Sequence, residues 1–251
     1  MIKIFIMIFL EMNINRCVKI FLKLNMVQKM KKINTFSFEI VRILFMRFIS
    51  PLSCPGGKAK HFDKIKAFLP GRFDMFIDLF CGGASVGLNV LEQQLCTKVI
   101  FNDLHTDLIS FWQEGIHLIE LDYLQKLVYP NAKTINEMKA KMLNDYCLNQ
   151  GEEFLMKNAL TFNGKEWGVW TDKRLQQNFN VNKLKRVENV KNLLVNPKYK
   201  IKFFNSDYKE IINRYSNNKN IIWYLDPPYY YNKGKPYKHS KIDFQELKII
   251  F

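Results

Sequence analysis

Residues 221–231 place a carboxylate and a stiff backbone corner at the end of an apolar run. Their sequence is IIWYLDPPYYY, and Asp226 follows directly after the apolar part. Pro227 and Pro228 fix the backbone and carry no N–H, so their carbonyls remain available as acceptors. Tyr229 offers a flat face for stacking. The corner predicts chemistry on the exocyclic amine of a nucleobase, because Asp226 and the carbonyl of Pro227 can accept its two N–H groups and free the nitrogen lone pair.

A base inside a duplex cannot reach such a corner unless it rotates out of the stack. The alternative interpretation is a structural junction between strand and loop, with tyrosines that face solvent. Asp-Pro-Pro-Tyr is expected by chance in a chain of this length on the order of one time in a thousand. The motif therefore favours the chemical interpretation.

Three other apolar segments also end in residues that can bind a ligand. DLFCGGAS, at residues 78–85, has glycines such as Gly82 that let backbone approach a ligand, and a helix N-terminus follows. Asp103 lies about 20 residues farther on, where an acid can reach ribose hydroxyls, or it caps a helix. Asp207 either contacts an adenine amino group or caps the next helix. Together these residues predict a nucleoside-containing cofactor.

An alternation of strands and helices is expected to position these residues. A strand, a glycine turn, a helix and a second strand form a βαβ unit, which is typical of a doubly wound α/β sheet. Ligands bind at the carboxyl ends of the strands in such a sheet, so the polar strand ends should meet. The predicted strands cover residues 75–80, 97–103, 198–207 and 220–229, and the predicted helices cover residues 58–69, 84–94 and 208–216.

Charge and cysteine content narrow the class of protein. The 251 residues carry a formal net charge of +15, which favours nucleic acid as a partner, an anionic membrane surface second, and a merely soluble basic protein third. The five cysteines form no zinc pattern and no complete disulfide set, which indicates a reducing, cytoplasmic setting. No apolar run reaches the roughly 18 residues that span a bilayer. The apolar start MIKIFIMIFL lacks a signal-cleavage site.

In combination and order, the motifs resemble those of the adenine-N6 DNA methyltransferases of the Dam type, the D12 class. CPGGK at residues 54–58 is similar to the first family motif, and DLFCGGASV at residues 78–86 to its cofactor loop. FND, NSDY and DPPY follow in the family's order. The resemblance, which covers residues 50–251, implies S-adenosylmethionine as cofactor and no metal. It assigns cofactor binding to Lys58, Asp78, Phe80, Gly82, Asp103 and Asp207, and catalysis to Asp226, Pro227, Pro228 and Tyr229.

The resemblance also implies an architecture and a partner. We expect a Rossmann-like methyltransferase sheet from residues 49–107 and 199–251, interrupted by a mainly helical, basic target-recognition insertion at residues 108–198. Residues 1–48 contain no Gly or Pro and no clear period, and are expected to form an atypical N-terminal extension outside the folded domain. The expected partner is double-stranded DNA, and the expected state is a monomer in the cytoplasm of a bacterial or phage-infected cell.

Three departures from the family pattern lead to further expectations. Cys54 stands where the family has an aromatic residue. Ala84 stands where it has glycine, which would add strain of about 1 kcal/mol or more if the position has a positive φ. The chain ends at Phe251, whereas the family's sheet continues. We therefore expect the strand before Asp226 to lie at an open edge of the sheet, and we expect this chain to methylate DNA weakly or not at all. Two alternative functions are a non-catalytic DNA-binding remnant and an N-methyltransferase that acts on RNA or protein amides.

Overall fold

The computed structural model describes residues 4–7, 50–54, 57–142, 147–161, 168–218 and 220–227. The chain divides into two compact units, Met1–Ile6 with Phe48–Phe251, and Met7–Arg47. Apart from Met7, the last residue of the first strand, the described residues belong to the first unit.

Five strands form one sheet in the order β1-β5-β2-β3-β4. Strand β2 runs parallel to both β3 and β5, and β3 runs parallel to β4. From β2 the chain moves outward through β3 to β4 and then returns to β5 on the other side of β2, so the predicted doubly wound α/β sheet is confirmed. The strands are β1 (Ile4–Met7), β2 (Met75–Asp78), β3 (Lys98–Asn102), β4 (Lys200–Phe204) and β5 (Ile221–Leu225).

The expectation that β5 lies at an open edge is wrong. Strand β1 occupies the position next to β5 on the side away from β2. A short stretch of the predicted N-terminal extension therefore takes part in the sheet, and β5 has a neighbouring strand on each side. The apolar sequence of residues 1–48 shows no period, so composition alone did not indicate this pairing.

Helices connect the strands in the predicted order, and their observed ends lie within a few residues of the predicted ones. The helix after the first family motif is shorter than predicted and begins with a 3₁₀ turn, Ala59–His61. The helices are α1 (Phe62–Lys66), α2 (Ser85–Glu92), α3 (Thr106–Ser110), α4 (Ile116–Leu118), α5 (Leu121–Leu127), α6 (Ile135–Met142), α7 (Gln150–Leu160), α8 (Asp172–Asn178), α9 (Val181–Leu194) and α10 (Tyr208–Tyr215).

The central strands are buried on both faces, which explains their continuous apolar runs. All five residues of β5 are buried, and Trp223 packs with Ile77 of β2 and Ile211 of α10. Helix α2 comes so close to β3 that a Cβ on Gly87 would lie 2.2 Å from the ring of Phe101. This glycine lets the helix after the cofactor-loop motif lie directly on the sheet.

The described part of the insertion is mainly helical, as predicted. Helix α3 passes through a π turn, Phe111–Gly115, into α4. Helix α7 begins with a capping box in which Asn149 and Glu152 satisfy each other's backbone N–H groups. A Cβ on Gly151 would overlap the carbonyl of Gly115, so α7 crosses the π turn through a pair of glycines.

Candidate active site

The carboxyl ends of three neighbouring strands bring three aspartates to one edge of the sheet. Asp78 is the last residue of β2, and in the register it stands beside Phe101 of β3 and Tyr224 of β5. Asp103 follows β3 by one residue, and Asp226 follows β5 by one residue. Parallel strands therefore gather acids that lie far apart in the sequence.

Lys58 and Asp226 form an ion pair across this edge. The Nζ of Lys58 lies 2.5 Å from Oδ2 of Asp226, and the two side chains are 6% and 15% exposed. The phenol of Tyr224 lies 3.4 Å from the same oxygen, and the backbone N–H of Lys58 donates to Oγ of Ser85 at 3.3 Å. The first family motif thus reaches both the start of α2 and the acid of DPPY. The sequence placed Lys58 with the cofactor and did not indicate this pair.

Asp78 is buried without a cation of its own at hydrogen-bonding distance among the described residues. Its Oδ2 accepts the N–H of Gly87 at 3.3 Å, while its Oδ1 is buried and has no partner in the described part of the chain. Burial raises the pKa of Asp78, the charges of Asp226 and Asp103 act in the same direction, and the Gly87 hydrogen bond and the charge of Lys58 oppose them; the resulting pKa is about 8. An uncompensated buried carboxyl is costly unless a ligand supplies a donor or a cation.

The glycine turn after β2 has two residues in the left-handed region. Gly82 has φ 48° and Ala84 has φ 55°, so the expected strain at Ala84 is present. A Cβ on Gly82 would meet nothing within 4 Å, whereas one on Gly83 would lie 3.0 Å from Sγ of Cys54. Gly82 therefore borders open space where a ligand fits, and Gly83 packs against the first motif. The indole N–H of Trp112 donates to the carbonyl of Gly82 at 3.2 Å.

Asp103 connects β3 to this turn. Its Oδ2 accepts the N–H of Gly82 at 2.9 Å, and its Oδ1 accepts the N–H of His105 at 3.0 Å. A carboxylate has about four lone-pair sites, so each oxygen retains capacity for a further donor. Asp103 therefore shapes the turn and can still accept hydroxyl groups from a ligand.

Asn102 is a site residue that the sequence reasoning missed. It is 1% exposed, and its Nδ2 donates to the carbonyls of Leu79 and Ser206 at 3.1 and 3.0 Å. Its Oδ1 accepts the N–H of Ser206 at 3.2 Å. The side chain thus ties the end of β2 to the end of β4. A polar residue at the last position of an otherwise apolar strand was the available signal.

Phe80 and Asp207 lie on the β4 side of the turn. The ring of Phe80, which is partly buried, packs at a tilt against Tyr208 with centroids 5.7 Å apart. Asp207 is exposed and caps α10 through a 2.9 Å hydrogen bond from the N–H of Lys209. Of the two roles considered for Asp207, the structure has the capping one, and contact with adenine stays a prediction.

Two predicted site residues lie beyond the described part of the chain. Pro227 is buried directly after Asp226, but Pro228 and Tyr229 fall outside the described residues. Within the ranges described, no group of three or more His, Cys, Asp or Glu side chains is arranged to hold a metal ion. No helix among the described residues is long and apolar enough to cross a membrane.

The family match agrees with this arrangement. Residues 55–196 match the D12 class N6 adenine-specific DNA methyltransferases, and the chain belongs to that family. It is similar to the modification methylase StsI of Streptococcus sanguinis, with 27% identity in an alignment of 232 residues that covers 80% of this chain and 32% of StsI. It is also similar to the type II methyltransferase M.FokI of Planomicrobium okeanokoites, with 40% identity over 61 residues, 24% of this chain and 9% of M.FokI. The chain thus spans a third or less of these relatives.

Proposed function

We propose that this protein is a site-specific DNA methyltransferase that modifies N6 of adenine with S-adenosylmethionine, as part of a restriction-modification system or a phage. The observation that carries the proposal is the pair of acids at adjacent strand ends. Asp78 closes β2 beside the glycine turn, and Asp226 follows β5 and is held by Lys58. One acid faces the cofactor motif and the other belongs to the motif suited to an exocyclic amine.

The residues around the glycine turn fit S-adenosylmethionine. The cofactor supplies an activated methyl group and carries an ammonium group and ribose hydroxyls. Oδ1 of Asp78, which lacks a partner among the described residues, suits the ammonium group. Asp103 retains acceptor capacity for hydroxyls, and the open space beside Gly82 admits the ligand to the backbone. Phe80 contributes an apolar surface, and Lys58 contacts both Ser85 at the start of α2 and Asp226.

Asp226 would bind the target amine of adenine. Its carboxylate would accept one N–H of adenine, and the carbonyl of Pro227 would accept the other, which frees the nitrogen lone pair. Lys58 holds the carboxylate by its 2.5 Å contact at Oδ2. Catalysis then comes from orientation and from an acceptor placed where charge develops. Tyr229 would stack on the extruded base.

The proposed partner is duplex DNA. The chain's net charge of +15 suits a polyanion, and the insertion that follows β3 contributes many lysines. The matched family and both named relatives are methyltransferases, and the family description specifies adenine N6 in DNA. We place the protein in the cytoplasm, where this substrate is found.

The test is transfer of label from methyl-labelled S-adenosylmethionine to duplex DNA, RNA or protein, with Asp226→Asn as the matched control. We expect label in DNA, recovered after digestion as N6-methyladenine and lost in the variant. Label in RNA or protein alone would assign another substrate. A wild-type chain that binds DNA but transfers no label to any acceptor would identify a non-catalytic DNA-binding protein.

A further inference from the structure

Two side chains of the insertion hold the backbone just before the first family motif. Asn158 of α7 makes a reciprocal pair of hydrogen bonds with Ser53: its Oδ1 accepts the Ser53 N–H at 2.7 Å, and its Nδ2 donates to the Ser53 carbonyl at 3.0 Å. Asn158 is 7% exposed. The two residues are 105 positions apart in the sequence, so the contact joins separate parts of the chain.

Lys183 of α9 holds the same segment from a second helix. Its Nζ donates to the carbonyl of Pro51 at 2.6 Å and lies 3.5 Å from Oγ of Ser53. The residue is 3% exposed, and burial lowers the pKa of its ammonium group to about 8, with the charge of Arg186 acting in the same direction. An apolar side chain would fill this space without that cost, so packing alone does not explain a lysine here.

The held segment contacts the candidate active site at two points. Cys54 packs against Gly83 of the cofactor turn, and burial raises the pKa of its thiol to about 12, so it faces Lys183 as a neutral group. The Cys54 carbonyl accepts the N–H of Gly57 at 3.1 Å, and Lys58 follows, paired with Asp226. A displacement of residues 51–54 would therefore shift both the cofactor turn and the Lys58–Asp226 pair.

We propose that Asn158 and Lys183 are positioning residues through which the insertion fixes the cofactor turn and the Lys58–Asp226 pair. This rests on the proposed function, since it concerns how that site is held. Both side chains are buried, so they act on the segment before the first motif and not on DNA phosphates. The site is then complete only when α7, α9 and residues 51–54 are docked.

The experiment compares Lys183→Met and Asn158→Leu with wild type in the full chain. Lys66→Met, an exposed lysine of α1, is the matched control. Calorimetry gives the Kd for S-adenosylmethionine, and filter binding gives the DNA Kd as a function of salt. Amide hydrogen exchange of the cofactor-free protein reports residues 50–58 and 80–85. Circular dichroism establishes that each variant is folded at the temperature used, and Asn158→Ser, which keeps a small polar side chain without adding a charge, provides a milder second variant.

We expect S-adenosylmethionine to bind about 3- to 30-fold more weakly in both variants, the range for residues that act through others. Exchange should accelerate in the two peptides. The salt slope of DNA binding should not change, whereas loss of a phosphate contact would alter it by about 0.9. Lys66→Met should match wild type in all three measurements.

Unchanged cofactor affinity in folded variants would overturn the positioning role, as would a changed salt slope with normal exchange. Failure of the proposed function looks different. Wild type would then bind the cofactor without methylating DNA, and the affinity comparison would still decide the positioning role. If wild type binds no cofactor, hydrogen exchange in the two peptides decides it: faster exchange supports the role, and unchanged exchange contradicts it.

Discussion

The ends of β2 and β5 lie side by side in the sheet, yet the carboxylates at these two ends have opposite electrostatic environments. Asp78 at the end of β2 receives one backbone N–H and leaves Oδ1 without a partner among the described residues. Asp226 after β5 receives the ammonium group of Lys58 at 2.5 Å. Asp78 is 1% exposed, and the side chain of Asp226 is 15% exposed.

This difference matches the two ligands that the proposed reaction requires. A buried acid without a cation is suited to receive one, which the cofactor's ammonium group can supply. An acid already held by lysine is suited to orient a neutral amine, because its position is fixed before the amine arrives. Each of the following substitutions either removes the electrostatic difference between the ends of β2 and β5 or allows it to be measured.

Removing the lysine from the β5 end should have the largest effect. Lys58→Met deletes one partner of a buried ion pair, and such losses cost about 3–5 kcal/mol of unfolding free energy. Urea unfolding measures this cost. The double variant Lys58→Met with Asp226→Asn should recover part of the loss, because the carboxylate no longer carries a charge into the site. Full additivity of the two changes would show that the residues do not act as a pair.

Neutralising the acid at the β5 end should slow methylation by about 10²–10³-fold, the cost of losing one well-placed electrostatic group. Asp226→Asn keeps the shape of the side chain and removes its charge. Single-turnover transfer of labelled methyl to duplex DNA measures the rate of the step itself. A variant that keeps most of the wild-type rate would remove Asp226 from the role of acceptor.

At the β2 end, the stability of the cofactor-free protein should depend on pH through Asp78. Because its pKa is raised from 3.8 to about 8, the folded protein keeps a proton that the unfolded chain loses above pH 3.8. Stability from this group is therefore present at low pH and is lost as pH rises toward about 8, by up to about 1.4 kcal/mol per pH unit.

The variant Asp78→Asn should lack that decline, and urea unfolding at a series of pH values between pH 5 and 8 compares the stability of the two proteins. S-Adenosylmethionine should bind wild type more tightly as pH rises through the same window, because the charged carboxylate is the form that attracts a cation. Parallel stability curves for wild type and variant would contradict the buried, uncompensated state of Asp78.

The smallest effect is expected in the turn that follows β2. Ala84 has φ 55°, a region that costs a non-glycine residue about 1–2 kcal/mol. Ala84→Gly should therefore stabilise the protein by about 0.5–1 kcal/mol, after the greater chain entropy of glycine in the unfolded state is deducted. Ala67, which has φ −62°, is the matched control, and Ala67→Gly should not stabilise. Equal changes at both positions would show that the turn stores no strain.

Local patterns were sufficient to predict much of the fold. Short apolar stretches marked β2, β3 and β5, and the polar residues after the strands indicated which strand ends carry chemistry. Comparison with the family's glycine indicated that Ala84 would be strained if its φ were positive, and its φ is 55°. Strand β1 was not predicted, because its segment has no distinguishing period and its neighbour in the sheet lies at the far end of the chain.

Contacts between distant residues account for the parts of the site that the sequence did not indicate. The pairing of Lys58 with Asp226 spans 168 positions, and that of Lys183 with Pro51 spans 132. A lysine in a basic chain gives no local signal that it is buried. For Asp207 the uncertainty was local instead: its sequence position was compatible with adenine binding and with helix capping. The observed capping needs only the N–H of the residue two positions later.

The assignment of cofactor binding to Asp78 and of the target amine to Asp226 is tested most directly by the cofactor affinity of two variants measured side by side. Calorimetric titration of S-adenosylmethionine at about pH 8 into wild type, Asp78→Asn and Asp226→Asn requires neither DNA nor turnover. Loss of a charge-assisted hydrogen bond, worth roughly 1.5–3 kcal/mol, should weaken binding by about 10- to 100-fold in Asp78→Asn, while Asp226→Asn stays within about twofold of wild type. Equal losses in both variants, or a loss confined to Asp226→Asn, would contradict the assignment of cofactor to β2 and target amine to β5.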